Sequence, residues 1–181
     1  TCPDLVLPNY EGWGYTEVSL DSVSMNTVIN DGALARIEDP LMRSMIWTAL
    51  FDAPSNEQMN NSTLLETLIS SLPLEKNDRI IRQVMAELVS NLNTLERLGG
   101  RFSIELAQYG PLAERQLWDL ISAGVTATGD SQSLSTLNLR LSRFIGLARS
   151  AEALANLNGL LDASIAIEGF DLGQNQRWNI I

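Results

Sequence analysis

From Asp21 to the end of the chain, apolar residues recur every three or four positions. Met42, Met45, Ile46, Ala49 and Leu50 fall at i, i+3, i+4, i+7 and i+8, which places them on one face of an α-helix. Leu64, Leu65, Leu68, Ile69 and Leu72 repeat the pattern, and Ile80, Ile81, Val84, Met85, Leu88, Val89 and Leu92 form its clearest example. Stripes of this kind are core, because burying each such side chain contributes about 1.5–3 kcal/mol. Start and stop signals frame them. Asp21 or Ser22 caps a first helix carrying Met25, Val28 and Ile29, which Asn30-Asp31-Gly32 interrupts before another turn or two over Ala33–Ile37. Asp39-Pro40 joins a side-chain acceptor to a residue whose φ is pre-set for the first helical position. Asn61 or Ser62 opens the next helix and Pro73 stops it; Asn77 or Asp78 opens another, closed by Gly99-Gly100.

Further along, the pattern predicts a short helix over Phe102–Tyr109 and a separate one starting at Pro111, with Ala113, Leu117, Leu120 and Ile121 inward. Gly129-Asp130 reads as a turn and cap before a helix with Leu134, Leu137, Leu141, Phe144, Ile145 and Ala148 on its inner face. Ser150 caps a helix with Leu154, Leu157 and Leu161 inward, and a last helix restarts at Gly173. The first 20 residues differ. Leu5-Val6-Leu7-Pro8-Asn9 is a short extended run, Gly12-Trp13-Gly14 a turn, and Tyr15–Leu20 alternates as a strand or extended lead-in does. The expected fold is therefore all-α. It has about eight helices joined by short loops, which favour antiparallel neighbours, after a short extended lead-in. No repeat of about 34 or 40 residues is visible, so a regular array is not expected, and the pairs either close into a bundle or stack as an irregular superhelix, HEAT- or armadillo-like.

Composition narrows the chemistry. The 181 residues carry a net charge of −10, which repels phosphate backbones and argues against nucleic acid as a partner. The cations, eleven arginines and Lys76, are scattered rather than clustered. No apolar run approaches the ~18 residues that span a bilayer, so no membrane partner is expected. A single cysteine, Cys2, rules out an intrachain disulfide and fits a reducing, cytoplasmic setting. Histidine is absent. A Ser-His-Asp triad, a Cys-His pair and a His-ligated zinc are thus impossible within these residues. No phosphate-binding glycine loop or calcium loop occurs either, so the chain has no catalytic residues, metal ligands or cofactor site to nominate.

Three segments carry a resemblance. The first is Leu7-Pro8-Asn9 through Gly12-Trp13-Gly14-Tyr15, followed by Val18 and Leu20-Asp21. The second is Ile37-Glu38-Asp39-Pro40-Leu41-Met42-Arg43 to Trp47, Leu50, Phe51 and Asp52. The third is Leu160-Leu161-Asp162, Ile167-Glu168-Gly169-Phe170-Asp171-Leu172 and Arg177-Trp178-Asn179-Ile180-Ile181. In this order they resemble the C-terminal helical domain of bacterial zinc aminopeptidases of the aminopeptidase N family. The stretch from Phe102 to Thr128 carries no such likeness. The resemblance implies that residues 1–20 end a preceding β-sandwich or linker. Residues 21–181 are then the helical domain, cut before its last helices. It implies a non-catalytic lid on an enzyme that removes N-terminal residues from peptides, enclosing the substrate cavity and restricting access. The zinc, its His-Glu-x-x-His ligands and the loop that holds the substrate amine belong to the catalytic domain upstream. The implied partners are that catalytic domain, the β-sandwich and the peptide.

Arg43, Arg177 and Trp178 are the candidates to line the substrate cavity. Each also has a plainer reading: Arg43 pairs with a nearby acid such as Asp39 or Asp52, and Trp178 packs on the preceding helix pair. Tyr15 and Asn9 read as hydrogen-bonded junction residues, Met42, Met45 and Met85 as core filler, and the acids Glu38, Asp39, Asp162, Glu168 and Asp171 as caps and loop charges. The alternative function is a free-standing helical scaffold that binds a protein or peptide on a concave face. An exposed apolar surface near residues 1–20 separates the first reading from the second.

Overall fold

The computed structural model describes residues 3–9, 14, 17–30, 32–124 and 131–181, and for residues 131–133 the backbone alone. Among these residues the chain is all-α, as the periodicity requires, with nine α-helices: α1 Ser22–Asn30, α2 Ala33–Arg36, α3 Pro40–Asp52, α4 Asn61–Ser71, α5 Asp78–Leu98, α6 Ser103–Ser122, α7 Ser131–Leu147, α8 Ala151–Leu161 and α9 Gln174–Ile180. The β structure described is one isolated antiparallel bridge, Ile167 to Phe170. The chain divides into two compact units, residues 1–87 and 88–181, with the boundary inside α5.

In the first unit the polar residues before each stripe act as caps. Asp21 accepts from Val23 N and Ser24 N at 2.9 and 3.0 Å. Asp39 accepts from Leu41 N at 2.8 Å with Pro40 at the first helical position. Asn60, one residue earlier than expected, accepts from Thr63 N at 2.7 Å, and Asn77 from Arg79 N at 3.0 Å. Residues 17–20 form neither helix nor strand, and the lead-in is tied to α1 by Val6 N donating to Ser24 Oγ at 2.9 Å. Asn9 and Gly14 close a loop with two hydrogen bonds, 2.6 and 2.9 Å. The core draws Ile46, Trp47 and Leu50 from α3, Leu64, Leu65 and Leu68 from α4, and Ile80, Ile81, Val84 and Met85 from α5. Trp47 stacks on Phe51 at 5.7 Å between ring centroids. Of the methionines expected in the core, Met85 is buried while Met42 and Met45 are half-exposed.

In the second unit α6 packs on α7 and α8, and α9 lies on α7 and α8. Trp118 meets Phe144 at 5.4 Å. Two expectations are corrected here. The separate helices over Phe102–Tyr109 and from Pro111 are one helix, α6, with Pro111 inside it. Pro111 costs α6 one N–H, but the residue before it is Gly110, and a glycine removes the Cβ whose clash with the proline ring ordinarily ends a helix. The second correction concerns register in α8. Ala153, Leu157 and Leu160 are buried, whereas Leu154 is exposed and Leu161 only half-buried. Ser150 does cap α8, accepting from Ala153 N at 3.1 Å. Leu134 is likewise exposed on α7, while Leu137, Leu141, Phe144 and Ala148 are buried as expected. The expected turns and caps at Gly12-Trp13, Asp31 and Gly129-Asp130, together with Tyr15 and Cys2, lie outside the described residues.

Candidate functional site

Arg43 sits one turn into α3 with its guanidinium spread over three acceptor groups. Nε and Nη2 form a fork on the Glu75 carboxylate at 3.0 and 2.9 Å, and Nη1 donates to the carbonyls of Ile37 and Glu38 at 2.7 and 2.9 Å. Four of its five N–H donors are therefore satisfied within the chain. The partner acid is Glu75, 32 residues away, and not the sequence neighbours Asp39 or Asp52. Asp39 instead caps α3. Glu75 Oε1 also accepts from Lys76 N and Asn77 N, at 3.0 and 2.8 Å, which fixes the turn that leads into α5. The two side chains are 13% and 6% exposed, so water screens the pair little. Together with Trp47, the pair lines a pocket of about 450 Å³ in the first unit.

Arg177 and Trp178 lie together on α9. Arg177 Nη1 donates to the Leu161 carbonyl at 3.1 Å, holding α9 to the end of α8. Trp178 is 67% exposed; it does not pack into the preceding helices. Gln176 Oε1 accepts from Gly173 N at 2.5 Å and secures the start of α9.

The feature that sequence reasoning missed is Glu114, inside α6 and only 4% exposed. Its Oε1 accepts from the backbone N–H of Arg149 at 2.6 Å and of Ser150 at 3.2 Å, a tie across 35 residues that holds the start of α8. Its Oε2 is buried with no hydrogen-bond partner among the described residues. Glu114 lines a cleft of about 310 Å³ whose walls include Leu92, Leu106, Ala107 and Leu147. At the rim Arg149 meets Glu96 at 3.4 Å, both half-exposed, and Arg149 Nη1 donates to the Gly146 and Ala148 carbonyls at 3.1 and 3.0 Å. Spacing carried a signal for Glu114: it stands three and seven residues before Leu117 and Ile121, on the inward face of α6. A glutamate at such a position ordinarily snorkels to water, and the partner amides that keep this one inside lie 35 residues away.

Among the described residues no three His, Cys, Asp or Glu side chains come together as a metal site. No helix among them is long and apolar enough to cross a membrane. No curated protein matches the chain. The family model of the ERAP1-like C-terminal domain matches residues 5–181, running from the lead-in through α9. On that match, the chain belongs to the ERAP1-like C-terminal domain family.

Proposed function

We propose that the chain is the non-catalytic C-terminal domain of a zinc aminopeptidase of bacterial type, and that it serves as a lid that encloses the substrate cavity and limits which peptides enter. The observation that carries this reading is the family match over residues 5–181, together with a sequence that lacks histidine altogether and so supplies none of the chemistry itself. Closing a lid excludes water and positions a substrate, so such a domain influences rate without reacting. In this reading the helix pairs stack as a HEAT-like superhelix, residues 1–20 hand the chain over from a β-sandwich, and zinc stays with the catalytic domain. The exposed apolar side chains Val6 and Val23 beside the lead-in support a covering neighbour there. Arg177 and the exposed Trp178 remain the residues proposed to face the cavity. Arg43, with four donors already committed, is proposed as a clamp.

The test is made on the parent enzyme with and without this domain, using a chromogenic aminoacyl amide and a series of oligopeptides. The expected result is that removal leaves hydrolysis of the small amide within a few-fold and flattens the dependence of kcat/KM on peptide length. An unchanged length profile overturns the lid role. An upstream coding sequence without His-Glu-x-x-His overturns the aminopeptidase reading itself.

A further inference from the structure

Between α8 and α9, a single guanidinium closes the surface loop formed by residues 162–172. Arg177 Nη1 donates to the Leu161 carbonyl at 3.1 Å and Nε to the Leu172 carbonyl at 3.4 Å. Both ends of the segment therefore meet at one side chain, the geometry of an Ω-loop. The middle of the loop is seated separately. Ile165 N donates to the Gly159 carbonyl on α8 at 2.9 Å, and Ile167 is buried. A Cβ on Gly159 would lie 2.6 Å from Ile165 Cδ1, and one on Gly124, just after α6, 3.0 Å from the Glu168 carbonyl. The segment thus lies as a strap on bare glycine backbone. Ala163 within it holds φ at 64°, a left-handed conformation that disfavours alanine and persists only while neighbouring contacts impose it.

α9 lacks an apolar anchor. None of its seven residues is buried, and an isolated helix shorter than about 12–15 residues is marginal in water. Polar contacts at the surface hold it. Gln176 donates to Asn138 Oδ1 on α7 and accepts from Gly173 N, and Arg177 adds the two bonds to the ends of the strap. Exposed hydrogen bonds contribute little each, because water replaces them readily. The core beneath, built from Leu137, Leu141, Phe144, Leu157 and Leu160, includes no side chain of α9 or of the strap ends. Elements with few buried apolar contacts open locally at a small fraction of the free energy of global unfolding.

We propose that α9 is a latch and residues 162–172 the strap it fastens, so that undocking of α9 frees the strap while α6, α7 and α8 stay folded. The coupling runs through adjacent residues. Gln176 fixes α9 to α7, and that placement sets the Arg177 nitrogens against the two carbonyls. When α9 leaves, both ends of the strap lose their common partner at once, and only the Ile165 and Ile167 seat remains against the strain at Ala163.

The test is amide hydrogen exchange, read by mass spectrometry on the 181-residue chain at neutral pH. Peptides from the strap and from α9 are expected to open at least about a hundredfold more readily than those from the middle of α7 and α8. Arg177→Met is expected to raise exchange at the Ile165 and Phe170 amides, neither of which Arg177 touches, by about tenfold or more. Gln176→Ala discriminates the latch from a merely local contact, because neither of its hydrogen bonds is to the strap. It is expected to raise exchange in the strap as well as in α9, with α7 and α8 unchanged. Strap exchange that stays unaltered in either variant overturns the proposal. So does a strap that opens only together with the middle of α7, or a loss of protection throughout α6–α8 in Arg177→Met.

Discussion

Each compact unit buries a glutamate, and the two use it differently. In residues 1–87, Glu75 meets Arg43 through a two-point fork and also accepts from two backbone amides, so both of its oxygens are engaged. In residues 88–181, one oxygen of Glu114 takes two amides, and the other has no partner among the described residues. The difference teaches what each site is for. A buried ion pair whose donors and acceptors are all met is a closed structural unit, which loses heavily only when one partner is removed. A buried carboxylate with one oxygen left without a hydrogen bond among the described residues is an incomplete unit, and that unmet acceptor costs free energy. The contrast also explains why Arg43, the more conspicuous residue in the sequence, makes a poor substrate contact: four of its five donors are already engaged within the chain.

The comparison can be broken most directly at Glu75. Glu75→Ala leaves the Arg43 guanidinium buried without its counter-charge and is expected to destabilise the chain by about 3–5 kcal/mol, read as a lower urea midpoint. Replacing both partners, Arg43→Met with Glu75→Leu, should cost far less than the single change. If the double variant is as unstable as the single one, the pair is not the closed unit described above. Glu114→Ala comes next, at about 1–3 kcal/mol, since it strands two backbone amides but no charge. A loss equal to that of Glu75→Ala would erase the distinction between the two glutamates.

Smaller effects sharpen the picture. Asp39→Ala removes the cap of α3 and should cost about 1 kcal/mol without altering the Arg43 fork. A fall well beyond that would mean that Asp39 helps to place Arg43. Finally, each unit has an exposed aspartate whose pKa is held below the ordinary 3.8: Asp21 by the Ser24 amide and hydroxyl, and Asp162 by the Ser164 hydroxyl and amide. A lowered folded pKa contributes stability that is fully present above pH 3.8 and is lost as pH falls through the lower, folded value. Asp21→Asn and Asp162→Asn should therefore each reduce the drop in melting temperature between pH 7 and pH 3, by similar small amounts. A large effect from either would show that its unit depends on that cap far more than the exposed geometry implies.

Most helices could be read from local pattern. The cap at Asp39, the stop at Pro73 and the stripe from Ile80 to Leu92 each involve residues within one or two turns of one another, where propensity and capping act directly. The reading failed where local rules competed. At Gly110-Pro111 the proline signal for a helix start met a glycine that permits the helix to continue. In α8, leucines at 154, 157 and 161 and the register 153, 157, 160 were alternatives that only the packing partner could separate. Of the candidate site residues, Trp178 was expected to pack against helices and is instead exposed, because nothing in a seven-residue terminal helix states what lies beside it.

By itself the sequence determined the all-α class, the positions of the caps, the absence of histidine chemistry and, through its matched segments, the family. These depend on residues near one another in the chain or on simple composition. Tertiary structure alone decided that Arg43 belongs to Glu75 across 32 residues, and that Glu114 reaches the start of α8 across 35. Ion pairs and buried acceptors are set by which helix faces meet, and the period of a single helix carries no record of its neighbour.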